Sequence, residues 1–182
     1  MTIPKVRIVT DDLTGPEIAA LLDEHLEEMR AVSPPESKHA LDLEGLQAPD
    51  VTFWTVWDDT DDGALLGCGA LRELDPSHGE IKSMRTASAH RGRGTATRLV
   101  EHVVAEARRR GYARLSLETG AEEYFAPARR LYARHGFVPC APFADYPEDH
   151  HSVHLTLVLT EDAGPHVVRD ASATIPAISV ST

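Results

Sequence analysis

The chain has 182 residues and a mass of 19.9 kDa, and apolar residues make up 42% of it, which is enough for one compact core. Its 29 acidic and 18 basic side chains give a formal net charge of -11, so nucleic acids and anionic membranes are unfavourable partners. The apolar runs fall far short of the roughly 18 residues of a membrane span, and the two cysteines exclude a disulfide-built secreted scaffold, so we expect a cytoplasmic protein.

The first half of the chain predicts a strand, two helices and a hairpin. An amphipathic run from Ile18 to Met29 follows Thr14 and Pro16, which are typical of a helix start. Two β-rich runs flank an acidic turn and predict the hairpin. In chain order the predicted elements are a strand at 5–9, this helix, a short helix through His39, Ala40 and Leu43, and hairpin strands at 52–57 and 64–74.

The second half alternates strands and helices. Apolar residues between 94 and 110 recur at spacings of three and four, which predicts a long amphipathic helix that Gly111 ends. The other predicted elements are strands at 80–86, 112–118 and 153–159 and a helix at 127–135. This order predicts an α/β fold with helices packed on one sheet, in a single domain over residues 1–160. Residues 161–182 are predicted to form a mobile tail.

The loop between residues 86 and 97 carries the most specific chemistry. Gly92 and Gly94 permit a tight turn with uncovered amide groups, and the following helix directs the positive end of its dipole to the same place. That arrangement binds phosphate, although the loop taken alone is also compatible with arginines paired to surface carboxylates. A nicotinamide-dinucleotide site fits poorly, because the third glycine of its fingerprint is absent and the upstream strands form hairpins.

Two motifs resemble those of the GNAT superfamily of N-acetyltransferases. Arg91-x-x-Gly94-x-Ala96 is similar to the pyrophosphate signature of that family, and the segment at 128–137 is similar to its Ala-x-x-Leu-Tyr-x-x-x-Gly-Phe motif. The resemblance spans about residues 5–159. Several short segments of the sequence are also similar to a small bacterial subgroup of acetyltransferases that has no settled acceptor. The resemblance to the superfamily implies a GNAT-like mixed sheet, an antiparallel meander plus a splayed parallel strand pair, with helices on both faces.

The same resemblance implies acetyl-CoA as the co-substrate, bound in the gap between strands 80–86 and 112–118. Backbone groups of the first strand would pair with the pantetheine amides, and the loop amides and arginines would hold the pyrophosphate. No metal is expected. The implied cofactor-binding residues are Met84, Arg85, Thr86, Arg91, Gly92, Arg93, Gly94, Thr95 and Ala96.

Tyr132 matches the family tyrosine near the CoA sulfur, so the resemblance implies that it is the general acid. Glu80 matches the glutamate base of the histone-acetylating branch, whereas Glu118 ends the neighbouring strand, and both stay open as the base. Each of these three side chains could instead be an ordinary structural group. Strict alternation predicts that four side chains of strand 80–86 share one face: Glu80, Lys82, Met84 and Thr86.

We therefore predict an N-acetyltransferase that transfers acetyl directly to a primary amine of a small molecule or peptide. Its acceptor pocket is expected beside residues 33–39, Arg85, Glu118 and residues 143–146, where Arg85 could anchor an acceptor carboxylate. A non-catalytic acyl-CoA-binding sensor and a nicotinamide-dinucleotide-binding protein remain as alternatives, and the oligomeric state, a homodimer included, stays open. The group Asp149, His150, His151 and His154 lacks the spacing of a zinc site.

Overall fold

The structure, a computed structural model, describes residues 5–32, 42–60 and 63–159. The predicted tail and the part of the second helix around His39 and Ala40 lie outside these residues. Two short 3₁₀ turns, Ser88–His90 and Glu123–Phe125, precede the last two helices. The helices and strands in chain order are β1 (Val6–Thr10), α1 (Pro16–Val32), α2 (Leu43–Leu46), β2 (Val51–Asp58), β3 (Leu65–Asp75), β4 (His78–Thr86), α3 (Thr95–Arg109), β5 (Arg114–Gly120), α4 (Ala126–Arg134), β6 (Val138–Pro139) and β7 (Ser152–Val158).

The strands form one seven-stranded mixed sheet in the order β1-β2-β3-β4-β5-β7-β6. β1 to β4 are an antiparallel meander, β4 lies parallel to β5, and β7 lies antiparallel to both of its neighbours, β5 and β6. This confirms the predicted α/β sheet. β6 was not predicted, because the two residues Val138 and Pro139 are too few to show a hydrophobic period.

Helices cover both faces of the sheet, as predicted. α3 and α4 pack on one face, and the apolar stripe of α3 explains why, since its buried residues recur at the helical period. α1 and α2 pack on the opposite face against Phe53 of β2 and Cys68 and Ala70 of β3. The residues that α3 buries are Thr95, Leu99, Val100, Val103, Val104 and Ala107. None of the described helices has the length and apolar character needed to cross a membrane.

A β-bulge interrupts β4 next to the predicted site. Cys68 pairs with Arg85 and Ala70 pairs with Lys82, so Ser83 and the residue after it lie opposite a single residue of β3. Ser83 adopts φ 54°, a left-handed conformation that is uncommon for a residue with a side chain. Such a bulge reverses the faces to which the following side chains point.

The predicted alternation of β4 was therefore wrong beyond Lys82. Glu80 and Lys82 lie on the face that α1 covers, but Met84 packs into the core beneath α3. Arg85 returns to the α1 face, where it pairs with acidic residues of that helix. The bulge thus directs Met84 into the α3 side and Arg85 away from it.

β4 and β5 separate halfway along their length. Their parallel pairing ends at Ile81 and Leu117, although β4 continues to Thr86 and β5 to Gly120. The facing backbone groups of these last residues have lost their sheet partner and need another one. The structure thus contains the splayed pair of parallel strands that the resemblance to the GNAT superfamily implied.

Candidate active site

A cleft of about 550 Å³ begins at the glycine-containing loop before α3 and ends where β4 and β5 separate. One wall is the end of β4, and the other is the first turns of α4. Of the predicted cofactor-binding residues, Arg93 alone does not line it. The residues of that set that line the cleft are Met84, Arg85, Thr86, Arg91, Gly92, Gly94, Thr95 and Ala96.

The loop leaves its amide groups open to this cleft. Gly92 and Gly94 have φ angles of 78° and 79°, in the region that favours glycine, and a Cβ on either would meet no atom within 4 Å. Gly94 caps α3 without a side-chain hydrogen bond, so the N–H groups of the first helical turn keep no cap. The hydroxyl of Thr95 is buried without a hydrogen-bond partner in the described part of the chain. Together these donors and the helix dipole suit a diphosphate.

A smaller inner pocket of about 150 Å³ continues from the cleft between the separated strands. Glu118 lines it from β5 and Lys82 from β4. The loop that precedes β7 contributes Tyr146 and His151. Polar side chains therefore line the inner pocket beside apolar ones such as Ile81 and Leu117, and this mixture suits a small acceptor that carries a polar group.

Glu80 does not line the inner pocket. It is 1% exposed, and its carboxylate accepts hydrogen bonds from Lys82 Nζ at 3.2 Å and from the Tyr146 hydroxyl. Burial and the Glu80 carboxylate both raise the pKa of Tyr146, so its hydroxyl remains protonated. Of the two predicted bases, Glu118 reaches the pocket directly, whereas Lys82 and Tyr146 lie between Glu80 and the pocket.

Tyr132 lies on α4 at the junction of the cleft and the inner pocket, and it lines both. Pro127, near the start of α4, is typical of the first turn of a helix and helps to fix where that helix begins. The Tyr132 ring packs edge-on against Phe137 with 5.6 Å between ring centroids. Burial raises the pKa of Tyr132, which keeps its hydroxyl protonated and able to donate.

A network of ion pairs joins α1 to β4 and to the glycine loop. The Arg85 guanidinium donates to both oxygens of Glu28 at 2.7 Å and to Glu24 at 2.8 Å. The Glu28 carboxylate also accepts hydrogen bonds from Arg91 at 3.1 Å and from the Tyr124 hydroxyl. Because α1 already engages the guanidinium of Arg85, a role as anchor for an acceptor carboxylate would require these pairs to break.

Replacing Glu28 with Gln is expected to lower the free energy of unfolding at pH 7 by about 1–3 kcal/mol, because Arg85 loses a charged bidentate partner. Hydrogen bonds from Arg85 hold the pKa of Glu28 far below its ordinary value of 4.5. The wild-type advantage is thus fully present above about pH 4.5 and shrinks as the pH falls below it. Thermal unfolding at pH 7 and below pH 4 measures both effects. Glu27→Gln, on the exposed side of α1, is the control, and equal stability of Glu28→Gln and wild type at pH 7 would contradict the expectation.

The histidines around the start of β7 do not form one cluster. The donor atoms of Asp149, His150 and His151 lie within 4.8 Å of one another. His151 also contacts a Glu122 oxygen at 3.0 Å. His154 instead packs edge-on against Phe143 and Tyr146, with ring centroids 5.6 Å and 5.2 Å apart. His154 is therefore separate from the other three members of the predicted group.

Sequence reasoning missed His25, which lines both the cleft and the inner pocket from α1. Its signal was present, since it falls within the apolar stripe between Ile18 and Met29, where an aliphatic residue would be ordinary. The contact of Tyr146 with Glu80 carried no such signal, because Tyr146 lies in a loop with no period of its own. The predicted wall at residues 33–39 lies outside the described residues.

Comparison with known proteins agrees with this geometry. The sequence model of the acetyltransferase (GNAT) family matches residues 18–137. The chain is 53% identical over 151 residues to the uncharacterized N-acetyltransferase YsnE of Bacillus subtilis (strain 168), covering 83% of this chain and 98% of YsnE. It is 49% identical over 155 residues to the uncharacterized N-acetyltransferase YedL of Escherichia coli (strain K12), covering 85% of this chain and 96% of YedL.

The fold is also found among solved structures. A GNAT family acetyltransferase of Elizabethkingia anophelis, solved with acetyl-CoA bound, superposes with a TM-score of 0.57 at 17% identity and covers 85% of this chain and 98% of that one. The family match and the two bacterial relatives extend over most of the chain, and they cover the loop before α3 and the motif on α4. The chain therefore belongs to the acetyltransferase (GNAT) family and is an N-acetyltransferase with acetyl-CoA as its co-substrate.

Proposed function

We propose that this protein transfers the acetyl group of acetyl-CoA directly to a primary amine of a small molecule or peptide held in the inner pocket. The observation that carries the proposal is the junction at Tyr132, where the cleft opens into the inner pocket between β4 and β5. A thioester entering along the cleft and an amine in the inner pocket would meet there. Holding the two reactants together replaces a bimolecular collision with a step inside one complex.

The loop before α3 would hold the diphosphate of acetyl-CoA. The amides from Gly92 to Ala96 supply the donors, and Arg91 at the cleft edge supplies a charge once it leaves Glu28. Backbone groups of Met84 and Thr86, beyond the last pair with β5, would bond the pantetheine amides as an added strand does. Arg93 lies off the cleft lining, so we assign it a long-range electrostatic role at most.

In the proposed reaction, the amine nitrogen forms a bond to the thioester carbonyl carbon, and the carbon–sulfur bond breaks. Glu118 accepts the proton that the amine gives up, directly or through a water molecule. Tyr132 donates its hydroxyl proton to the departing thiolate of CoA, for which a protonated and buried hydroxyl is suited. The products are the acetylated amine and CoA, and no metal ion takes part.

The acceptor is proposed to be a free amine in the cytoplasm. The formal net charge of -11 supports a cationic or zwitterionic acceptor and disfavours nucleic acid and anionic membrane as partners. Cys68 and Cys140 are both free thiols, as expected in a reducing compartment. The oligomeric state, a homodimer included, stays open in the proposal, and all the described residues that line the cleft and the inner pocket belong to one chain.

Glu118→Gln is expected to lower kcat/KM for the amine about a hundredfold, because an amide cannot accept the proton. Glu80→Gln is expected to reduce the melting temperature, because the ion pair with Lys82 is lost. Its effect on kcat should be far smaller than that of Glu118→Gln. Steady-state release of CoA measures the rates. The matched control is Glu101→Gln, an exposed glutamate on the solvent side of α3. Full activity in Glu118→Gln, with loss in a well-folded Glu80→Gln, would assign the base to Glu80 instead.

A panel of amines, with CoA release and product mass as readouts, tests the function itself. We expect at least one primary amine of the panel to gain 42 Da, the mass that one acetylation adds, with release of an equimolar amount of CoA. Binding of acetyl-CoA without transfer to any amine would favour the non-catalytic sensor. Thermal stabilisation by NAD and none by CoA would favour the dinucleotide-binding alternative.

A further inference from the structure

α1 presents a histidine where its apolar stripe faces the sheet. Ile18 and Leu21 on this stripe are 2% and 4% exposed. His25 and Met29 follow Leu21 at successive spacings of four, so they lie on the same side of the helix. The His25 ring is therefore held between α1 and the end of β4 and is not free in solvent, which agrees with its place in the lining of the cleft.

His25 stands at the junction where the proposed reactants meet. Four elements, namely α1, β4, the 3₁₀ turn at Glu123–Phe125 and α4, supply the described residues that line both the cleft and the inner pocket. Among these described side chains, only His25 and Tyr132 carry an N–H or O–H group that can donate a hydrogen bond. The aliphatic or aromatic others cannot assist a charged transition state. The full set is His25, Met29, Met84, Phe125, Ala128 and Tyr132.

The two nitrogens of the His25 ring have different surroundings. Nδ1 is enclosed by protein, and no described residue hydrogen-bonds it. Burial lowers the pKa of His25 to about 4, and Arg85 acts in the same direction against the opposing charges of Glu28 and Glu24. The ring is neutral at pH 7 and carries one proton. On the enclosed Nδ1 this proton would be a buried donor without an acceptor, which proteins avoid, so we place it on Nε2.

We propose that the Nε2–H group of His25 donates a hydrogen bond to the carbonyl oxygen of the acetyl thioester and stabilises the negative charge that grows there during transfer. This inference rests on the proposed function, because it places the thioester at the junction between the cleft and the inner pocket. As the amine nitrogen bonds to the carbonyl carbon, the electron pair of the C=O bond moves onto oxygen. It returns when the carbon–sulfur bond breaks.

A fixed neutral donor suits that role. Enclosure of Nδ1 restricts the ring before the reaction begins, so little reorganisation accompanies the charge. Tyr132, the other polar side chain at the junction, remains free to protonate the departing sulfur. The two side chains thus serve different atoms of the same thioester.

His25→Ala is expected to lower kcat about 10²-fold or more, as loss of one such donor does elsewhere, with KM for acetyl-CoA within about twofold of wild type. His25→Gln keeps an N–H donor near the position of Nε2 and is expected to recover at least about tenfold of the lost kcat, a result that proton transfer by His25 would not give. His102→Gln, a half-buried histidine on α3 that packs against Trp54, is the matched control and should keep wild-type kcat. Melting temperatures report folding of all three variants.

The infrared stretch of 13C-labelled acetyl-CoA gives a second readout that needs no acceptor. Wild type and His25→Gln are expected to lower the carbonyl frequency relative to free acetyl-CoA, and His25→Ala is expected to lose that shift. Equal frequencies in wild type and His25→Ala, or kcat of His25→Ala within about threefold of wild type, would overturn the inference. A His25-dependent shift without acetylation of any amine would instead overturn the proposed function alone.

Discussion

Tyr132→Phe is expected to lower kcat by about 10²–10³-fold while leaving KM for acetyl-CoA within about twofold. The substitution removes one hydroxyl and preserves the ring that packs against Phe137. Without that hydroxyl the thiolate of CoA must leave unprotonated or wait for water. Because the hydroxyl acts on the sulfur only as the bond breaks, the loss should fall on kcat and not on binding. Steady-state kinetics with CoA release, together with the Kd for acetyl-CoA, measures both quantities.

Tyr112→Phe supplies the matched control. Tyr112 is also buried, but its hydroxyl donates to Glu73 at 2.8 Å outside the cleft. We expect this variant to lose some stability through the missing hydrogen bond and to keep its kcat. Wild-type turnover in Tyr132→Phe would remove the hydroxyl from the mechanism, even if the variant binds acetyl-CoA normally.

Gly94→Glu is expected to raise the Kd for CoA about a hundredfold or more. The new carboxylate would occupy the same amide donors and helix dipole that are proposed to hold the diphosphate, and it would repel the phosphates. Losing two charge-assisted hydrogen bonds is sufficient for a change of this size. Isothermal titration with CoA measures it directly.

Backbone strain accompanies this substitution, because Gly94 has φ 79° and a side chain there costs about 1–2 kcal/mol. Gly111→Glu separates the effect of backbone strain from the effect on the CoA-binding loop. Gly111 has the same φ of 79° and equally open surroundings, but it lies just beyond the other end of α3. Both variants should therefore melt earlier than wild type, but Gly111→Glu should bind CoA normally. Equal CoA affinity in the two variants would contradict the assignment of the loop.

Features with a strong local signal were predictable from the sequence. The stripe of α3 identifies that helix through its spacing, and the open space around Gly92 and Gly94 agrees with the predicted anion site. Tyr132 was found through its motif and does line the cleft. The pairing of β4 with β5 followed from the resemblance to the GNAT superfamily that these motifs carry.

Features that depend on partners distant in sequence were not predictable. The bulge at Ser83 arises from the register between β3 and β4, so strict alternation assigned Met84 to the wrong face. The partners Arg85 and Glu28 lie 57 residues apart in the chain, and nothing local to either residue indicates the pair. His25 carried a local signal as a single polar residue in an apolar stripe, but its place in the site depends on how α1 lies against the end of β4.

A crystal structure of the protein with acetyl-CoA tests the central claim most directly. The diphosphate should lie on the backbone amides between Arg91 and Ala96, with the pantetheine along the end of β4. The thioester should lie beside Tyr132, where β4 and β5 diverge. Acetyl-CoA bound elsewhere on the chain, or a diphosphate without contact to these amides, would contradict the account.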